Sequence, residues 1–190
     1  MKEIAKLGMI LLIIGGIAAA LLAMTYELTI DQIVEQRLIK DQTARMEVFP
    51  QAETFEAASE ENLEAVKAIN PAIADVYQAM ASGEIMGYVI KTRPGGFGGA
   101  IDVVTGFDLD GKITGLRVGT HEETPGLGAN ITLPDFYTQY EGLDITRDIG
   151  VNKVSPGDNE IQAIAGATIS SQAVTDGVNY IGDVLAVLEK

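Results

Sequence analysis

The chain has 190 residues and a formal net charge of −14, from 13 Lys and Arg against 27 Asp and Glu, a balance that repels phosphate backbones and excludes nucleic acid as a partner. With no cysteine and one histidine, disulfides, thiol catalysis, cysteine-held zinc or iron–sulfur clusters and multi-histidine metal sites are excluded, and no metal site is expected. A mean hydropathy of +0.19 is high for so acidic a chain, so its apolar residues must be concentrated somewhere.

They are concentrated at the start. Residues 7–26 carry no charge. At ~1.5 Å per residue such a run crosses a hydrocarbon core of roughly 30 Å. A cleavable signal would be shorter and end in a small-residue cleavage site. Here Leu28, Ile30 and Ile33 follow Tyr26 without one, which predicts a retained transmembrane helix. Gly15, Gly16, Ala18, Ala19 and Ala20 give it a small-residue face suited to packing on another membrane helix. Lys2 and Lys6 precede the run, and no cation follows until Arg37. The positive-inside rule then places residues 1–6 in the cytoplasm and everything after residue 26 outside the cell membrane.

Residues 27–72 are predicted to be a helical connector. The helix continues past Tyr26 toward Pro50, and Leu63, Val66, Ala68 and Ile69 mark a second short helix before Pro71. The acids at 53, 56, 60, 61 and 64 read as a solvated helix face. From Ile73 the pattern turns to strands. Residues 76–80 and 85–90 flank Ser82-Gly83, and residues 101–108 and 113–118 flank Asp110-Gly111, two hairpin signals. A helix follows Pro134, and a last strand runs over 160–164. Val174, Val178, Ile181, Leu185 and Leu188 recur at helical spacing and predict a core-facing helix over about 171–188. The expected class is α+β: mostly antiparallel sheets with packed helices on one side, over 73–190, preceded by one N-terminal transmembrane helix.

Three motifs stand out in this part. The first is Arg93-Pro94-Gly95-Gly96-Phe97-Gly98-Gly99, a glycine loop that serves either a close backbone approach to a ligand or tight turns. The second is His121-Glu122-Glu123-Thr124-Pro125-Gly126-Leu127-Gly128. The third is Ala165-Gly166-Ala167-Thr168-Ile169-Ser170-Ser171, between a strand and a helix start. Its small residues leave the Thr168 hydroxyl accessible, Ser170 or Ser171 can cap the helix, and free amides there favour an anion such as phosphate. His121 reads as a hydrogen-bonded strand-end residue, Glu122 and Glu123 as loop charges or contacts that orient the loop, and Lys91 and Arg93 as a solvated strand end or as partners of a phosphate or of another protein. No acid–base or nucleophilic constellation appears, so no catalytic residue is expected.

Taken in order, the single anchor, the acidic exported domain, the His-Glu-Glu-Thr-Pro-Gly-Leu-Gly loop and the late Gly-Ala-Thr-Ile-Ser-Ser motif resemble the G subunits of Rnf ion-translocating electron-transport complexes. The resemblance covers nearly the whole chain. The C subunit of the sodium-translocating NADH:quinone reductase shares the flavin domain. The resemblance implies FMN joined through its phosphate to Thr168, attached outside the cytoplasm by a flavin transferase that uses FAD and Mg²⁺. It further implies Gly166, Ala167, Ser170 and Ser171 around the attachment, and Glu123, Thr124, Gly126, Leu127 and Gly128 as the loop near the flavin. Two positions depart from the family pattern: Ala165 stands for the usual Ser or Thr, and Gln162 stands where an Asp is common.

The implied function is that of an electron-carrier subunit. Its partners are the other membrane and peripheral subunits of a complex that couples ferredoxin:NAD electron transfer to Na⁺ or H⁺ translocation. Two alternatives stay open: the equivalent flavin subunit of the quinone-reducing sodium pump, and an anchored FMN-binding or sensing domain without ion pumping.

Overall fold

The computed structural model describes residues 2–188, so Met1 of the expected cytoplasmic segment and residues 189–190 lie outside the described residues. The chain divides into two compact units, residues 1–41 and 42–190. The described residues of the first are all helical and belong to α1 (Lys2–Val48), a helix long and apolar enough to cross a membrane. Leu11, Leu12, Ile14 and Leu22 are all exposed along it, as lipid-facing residues of an anchor would be.

The second unit is built on a five-stranded antiparallel meander in the order β1 (Thr54–Ala57), β2 (Ile73–Ala81), β3 (Glu84–Thr92), β4 (Val103–Asp108) and β5 (Ile113–Val118). Both predicted hairpins form. Ser82 and Gly83 take φ of 52° and 81°, the pair of positive values that suits a two-residue turn between twisted strands. Side chains alternate between the two faces. Tyr88, Ile90, Val103, Phe107 and Leu116 enter the main core, and Val89 and Val104 enter a smaller one behind it.

Helix α4 (Thr168–Gly182) covers the main face through Val174, Val178 and Ile181, all fully buried. The predicted stripe breaks at Asp183 and resumes in α5 (Leu185–Leu188); the side chain of Leu188 lies outside the described residues. The opposite face is not bare, contrary to the expectation of helices on one side. The last turn of α1 brings Val48 and Phe49 onto it. Gly106 and Gly115, paired across β4 and β5, leave the space in which Val48 sits. A Cβ on Gly106 would lie 2.6 Å from the Val48 carbonyl oxygen, and the Thr114 hydroxyl donates to that oxygen at 2.6 Å.

The expected connector 27–72 needs correction in its middle. It is helical to Val48 and again in α2 (Glu60–Ile69), but β1 lies between them and pairs with β2. Four mostly exposed residues with a glutamate among them carry no alternation to reveal a strand. Glu53 accepts from the Ser82 amide at 3.2 Å, so it serves the sheet edge and not a solvated helix face. A second, parallel pair joins β6 (Gly150–Asn152) to β7 (Glu160–Gln162). The predicted last strand is β7, ending two residues early, while β6 was not legible at three residues. Between β5 and β6 the chain packs Ile131, Phe136 and Tyr140 into the main core from short helical turns, among them α3 (Pro134–Tyr137).

Candidate functional site

The Ala-Gly-Ala-Thr motif forms the turn between β7 and α4. Gly166 has φ +80°, a conformation that favours glycine. The Ala167 amide donates to the Ile164 carbonyl at 2.9 Å. Ser171 closes the turn from inside: its hydroxyl accepts from the Ile164 amide at 3.0 Å and donates to the Ala167 carbonyl at 3.0 Å. Thr168 is therefore presented at the first helical position of α4. It is half-buried, and no described residue hydrogen-bonds its hydroxyl. Neither Ser170 nor Ser171 caps the helix, contrary to expectation. The flanking position is Ala167, which offers no side-chain cap. The first-turn amides thus keep their capacity for an anion.

A buried carboxylate ties this turn to the two glycine loops. Glu123, 5% exposed, accepts from the Ser170 hydroxyl at 2.5 Å through one oxygen and from the Gly98 amide at 2.9 Å through the other. The Phe97 amide and the neighbouring His121 add to its stabilisation. Burial pushes the Glu123 carboxyl up, but the Ser170 hydroxyl and the Gly98 and Phe97 amides outweigh it and hold the group below the usual carboxylate range. Glu123 is therefore an ionised, internally bonded anchor that orients its loop. Gly128 sits against this node: a Cβ there would run into Glu123 Oε2 and lie 2.6 Å from the Ser170 hydroxyl oxygen. Its missing side chain serves the approach of loop to helix.

The other loop residues face outward. The Thr124 carbonyl accepts from the Leu127 and Ala129 amides, both at 3.1 Å, and Gly126 takes φ +75° in that turn. Leu127 is half exposed, and its Cδ2 would lie 3.4 Å from a Cβ on Gly166, so it borders the turn that leads into α4. Ile169 is exposed on the neighbouring position. His121 is hydrogen-bonded as expected, its Nδ1 accepting from the Glu123 amide at 3.2 Å. Lys91 is not solvated: it is buried and pairs with Asp102 at 3.1 Å, and Arg93 pairs with the same carboxylate at 2.8 Å. The Phe97 and Gly98 amides belong to the first glycine motif, but their carboxylate partner Glu123 and the pairing of Asp102 with Lys91 and Arg93 were not legible in the sequence. A groove of about 240 Å³ between Leu133, Phe136, Gln139 and residues 162–164 adjoins the turn.

The arrangement fits a phosphorylated flat ligand. The Thr168 hydroxyl, without a partner among the described residues, stands beside uncapped helix amides, and exposed apolar side chains flank it. The FMN-binding domain family matches residues 96–182, which include the inner part of the first glycine loop, the 121–128 loop and the turn that leads into α4. The sheet and site thus define an FMN-binding domain carried behind a membrane-anchor helix. Over 197 residues the chain is 38% identical to the G subunit of the Na(+)-translocating ferredoxin:NAD(+) oxidoreductase complex of Acetobacterium woodii, covering 100% of this chain and 95% of that one. It is 36% identical to the G subunit of the ion-translocating oxidoreductase complex of Methanosarcina acetivorans, covering 99% and 97%. The chain belongs to this family of G subunits of ion-translocating oxidoreductase complexes. The fold also resembles NqrC of Shewanella oneidensis, with a TM-score of 0.52, 21% identity and 62% of each chain covered. It likewise resembles the C subunit of the Na(+)-translocating NADH-quinone reductase from Parabacteroides distasonis, with a TM-score of 0.54, 23% identity, and 70% and 78% covered.

Proposed function

We propose that the protein is a membrane-anchored electron carrier whose FMN is esterified through its phosphate to Thr168. It works as one part of a complex that moves electrons between ferredoxin and NAD and drives Na⁺ or H⁺ across the membrane. The observation that carries this reading is the Thr168 hydroxyl: half-buried, without a partner among the described residues and held at the uncapped first turn of α4 by the Ser171 clamp. Bound FMN supplies reversible electron transfer, a chemistry that no side chain here provides. The protein's part is to hold and orient. Gly166 and Ala167 shape the turn, Ser171 fixes it and Ser170 ties it to Glu123. Thr124, Gly126 and Leu127 border the space beside it, and Gly128 lets that loop close on the helix.

On this reading residues 1–6 are cytoplasmic, residues 7–26 cross the membrane and the FMN domain is extracytoplasmic; Lys2 and Lys6 ahead of the apolar run support that orientation. A flavin held by an ester is not lost by dilution outside the cell. Attachment is a maturation step in which the Thr168 hydroxyl attacks the FMN-side phosphorus of FAD. An Oγ1–P bond forms, AMP leaves with the bridging oxygen, and the hydroxyl proton passes to the Mg²⁺-dependent flavin transferase. The exposed acceptor turn, with Ala165 and Gly166 both open to solvent, supports access by that enzyme. The name of the Acetobacterium woodii relative favours the ferredoxin:NAD machine over the quinone-reducing pump. Co-purification tests this choice: cluster-bearing peripheral proteins should accompany the tagged chain from native membranes, and a lone, flavin-free monomer would defeat it.

A further inference from the structure

Phe97 is 69% exposed at the tip of the Gly95-Gly96-Phe97-Gly98-Gly99 loop. A large aromatic on four glycines suggests a loose tip, but the loop is fixed at its base. The Gly96 amide donates to the Gly99 carbonyl at 2.7 Å, and the Ile101 amide to the Pro94 carbonyl at 3.0 Å. The Phe97 and Gly98 amides are held by Glu123. The inner glycines serve packing: a Cβ on Gly96 would strike Glu123 and Ile101, and one on Gly98 would strike the Glu122 carbonyl. The loop therefore holds an unburied aromatic ring on a rigid base.

The same carboxylate accepts from Ser170, one helical half-turn beyond Thr168. Leu127 borders Gly166 on one side of the acceptor, and Ile169 follows it. Phe97, Leu127 and Ile169 are thus three exposed apolar side chains from three segments joined at one buried node. Resting on the reading that FMN is attached at Thr168, we propose that Phe97 binds a face of the isoalloxazine ring, stacked from the glycine loop that Glu123 ties to the first turn of α4, the turn that carries Thr168. A flat, largely apolar π-system is the occupant that an aromatic face recognises best.

The chain contains no tryptophan, which permits a clean test. An indole in contact with a flavin quenches its emission by electron transfer, and the effect falls away over a few ångströms. Full-length Phe97→Trp and Phe97→Tyr are co-expressed with the transferase, beside Leu109→Trp, an exposed position in the β4–β5 turn. Bound FMN per chain is measured first by intact mass, then emission per bound FMN. Stacking predicts a several-fold loss of emission in Phe97→Trp, a smaller loss in Phe97→Tyr and wild-type emission in Leu109→Trp. Phe97→Ala should lower the flavin anisotropy. Flavin present at full stoichiometry, with emission and anisotropy unchanged at position 97, overturns the stacking role alone. Wild-type protein without FMN overturns the attachment reading, and the stacking role with it.

Discussion

The Glu123 node allows a graded test of what holds the site together. Glu123→Ala removes an acceptor shared by the Ser170 hydroxyl and the Gly98 and Phe97 amides, at a position 5% exposed. Each buried group left unpaired costs about 1–3 kcal/mol, and water entering the space restores part, so a loss of about 3–5 kcal/mol is expected. Against a typical domain stability of about 5–15 kcal/mol this is severe. Glu123→Gln keeps the shape: its amide oxygen still accepts from the backbone, and its NH₂ can donate to the Ser170 oxygen. Only charge assistance is lost, about 1–2 kcal/mol. Urea unfolding of the full chain in detergent, followed by near-ultraviolet dichroism of the tyrosines, measures both. Because the native carboxyl is held below its ordinary value, its contribution is complete above the usual carboxylate range and fades as pH falls through the native value. The gap between wild type and Glu123→Gln should therefore narrow in acid. Equal losses for Ala and Gln, or a gap that widens in acid, would refute the view of Glu123 as an ionised anchor.

Three further outcomes follow from the same geometry. Gly106→Ala places a methyl 2.6 Å from the Val48 carbonyl oxygen and should destabilise the domain by about 1–3 kcal/mol in the same urea assay, whereas Gly95→Ala, with open space around it, should change little. Asp144 is held at about 2, against an ordinary 3.8, chiefly by the Thr146 hydroxyl and amide and further by Lys112. Its stabilising contribution is present above pH ~4 and should disappear between about pH 4 and 2, a loss that Asp144→Asn abolishes in acid-unfolding curves. Ser171→Ala removes both hydrogen bonds that close the acceptor turn, so the fraction of chains carrying FMN by intact mass should fall while the helix content by far-ultraviolet dichroism is kept.

Local chemistry decided how much could be read ahead of the structure. The hairpins were legible because Ser82-Gly83 and Asp110-Gly111 announce their turns between apolar runs. The core face of α4 was legible because Val174, Val178 and Ile181 keep helical spacing. β1 and β6 were not, since three or four residues show no period. The start of α4 was misplaced because its flanking residue is Ala167, which has no capping side chain, while the nearby serines hold other partners. The role of Glu123 was not legible, because its partner Ser170 lies 47 residues away and only the fold brings them together. The Val48 seat is similar: Gly106 and Gly115 read as strand glycines until the end of α1 is placed on them.

Intact-mass and peptide mass spectrometry of the protein purified from native membranes tests the central claim most directly. One FMN phosphoester should add about 438 Da, carried by the peptide that contains Thr168 and absent from Thr168→Val. An unmodified Thr168 peptide throughout a flavin-replete preparation, or the same added mass in Thr168→Val, would contradict the account.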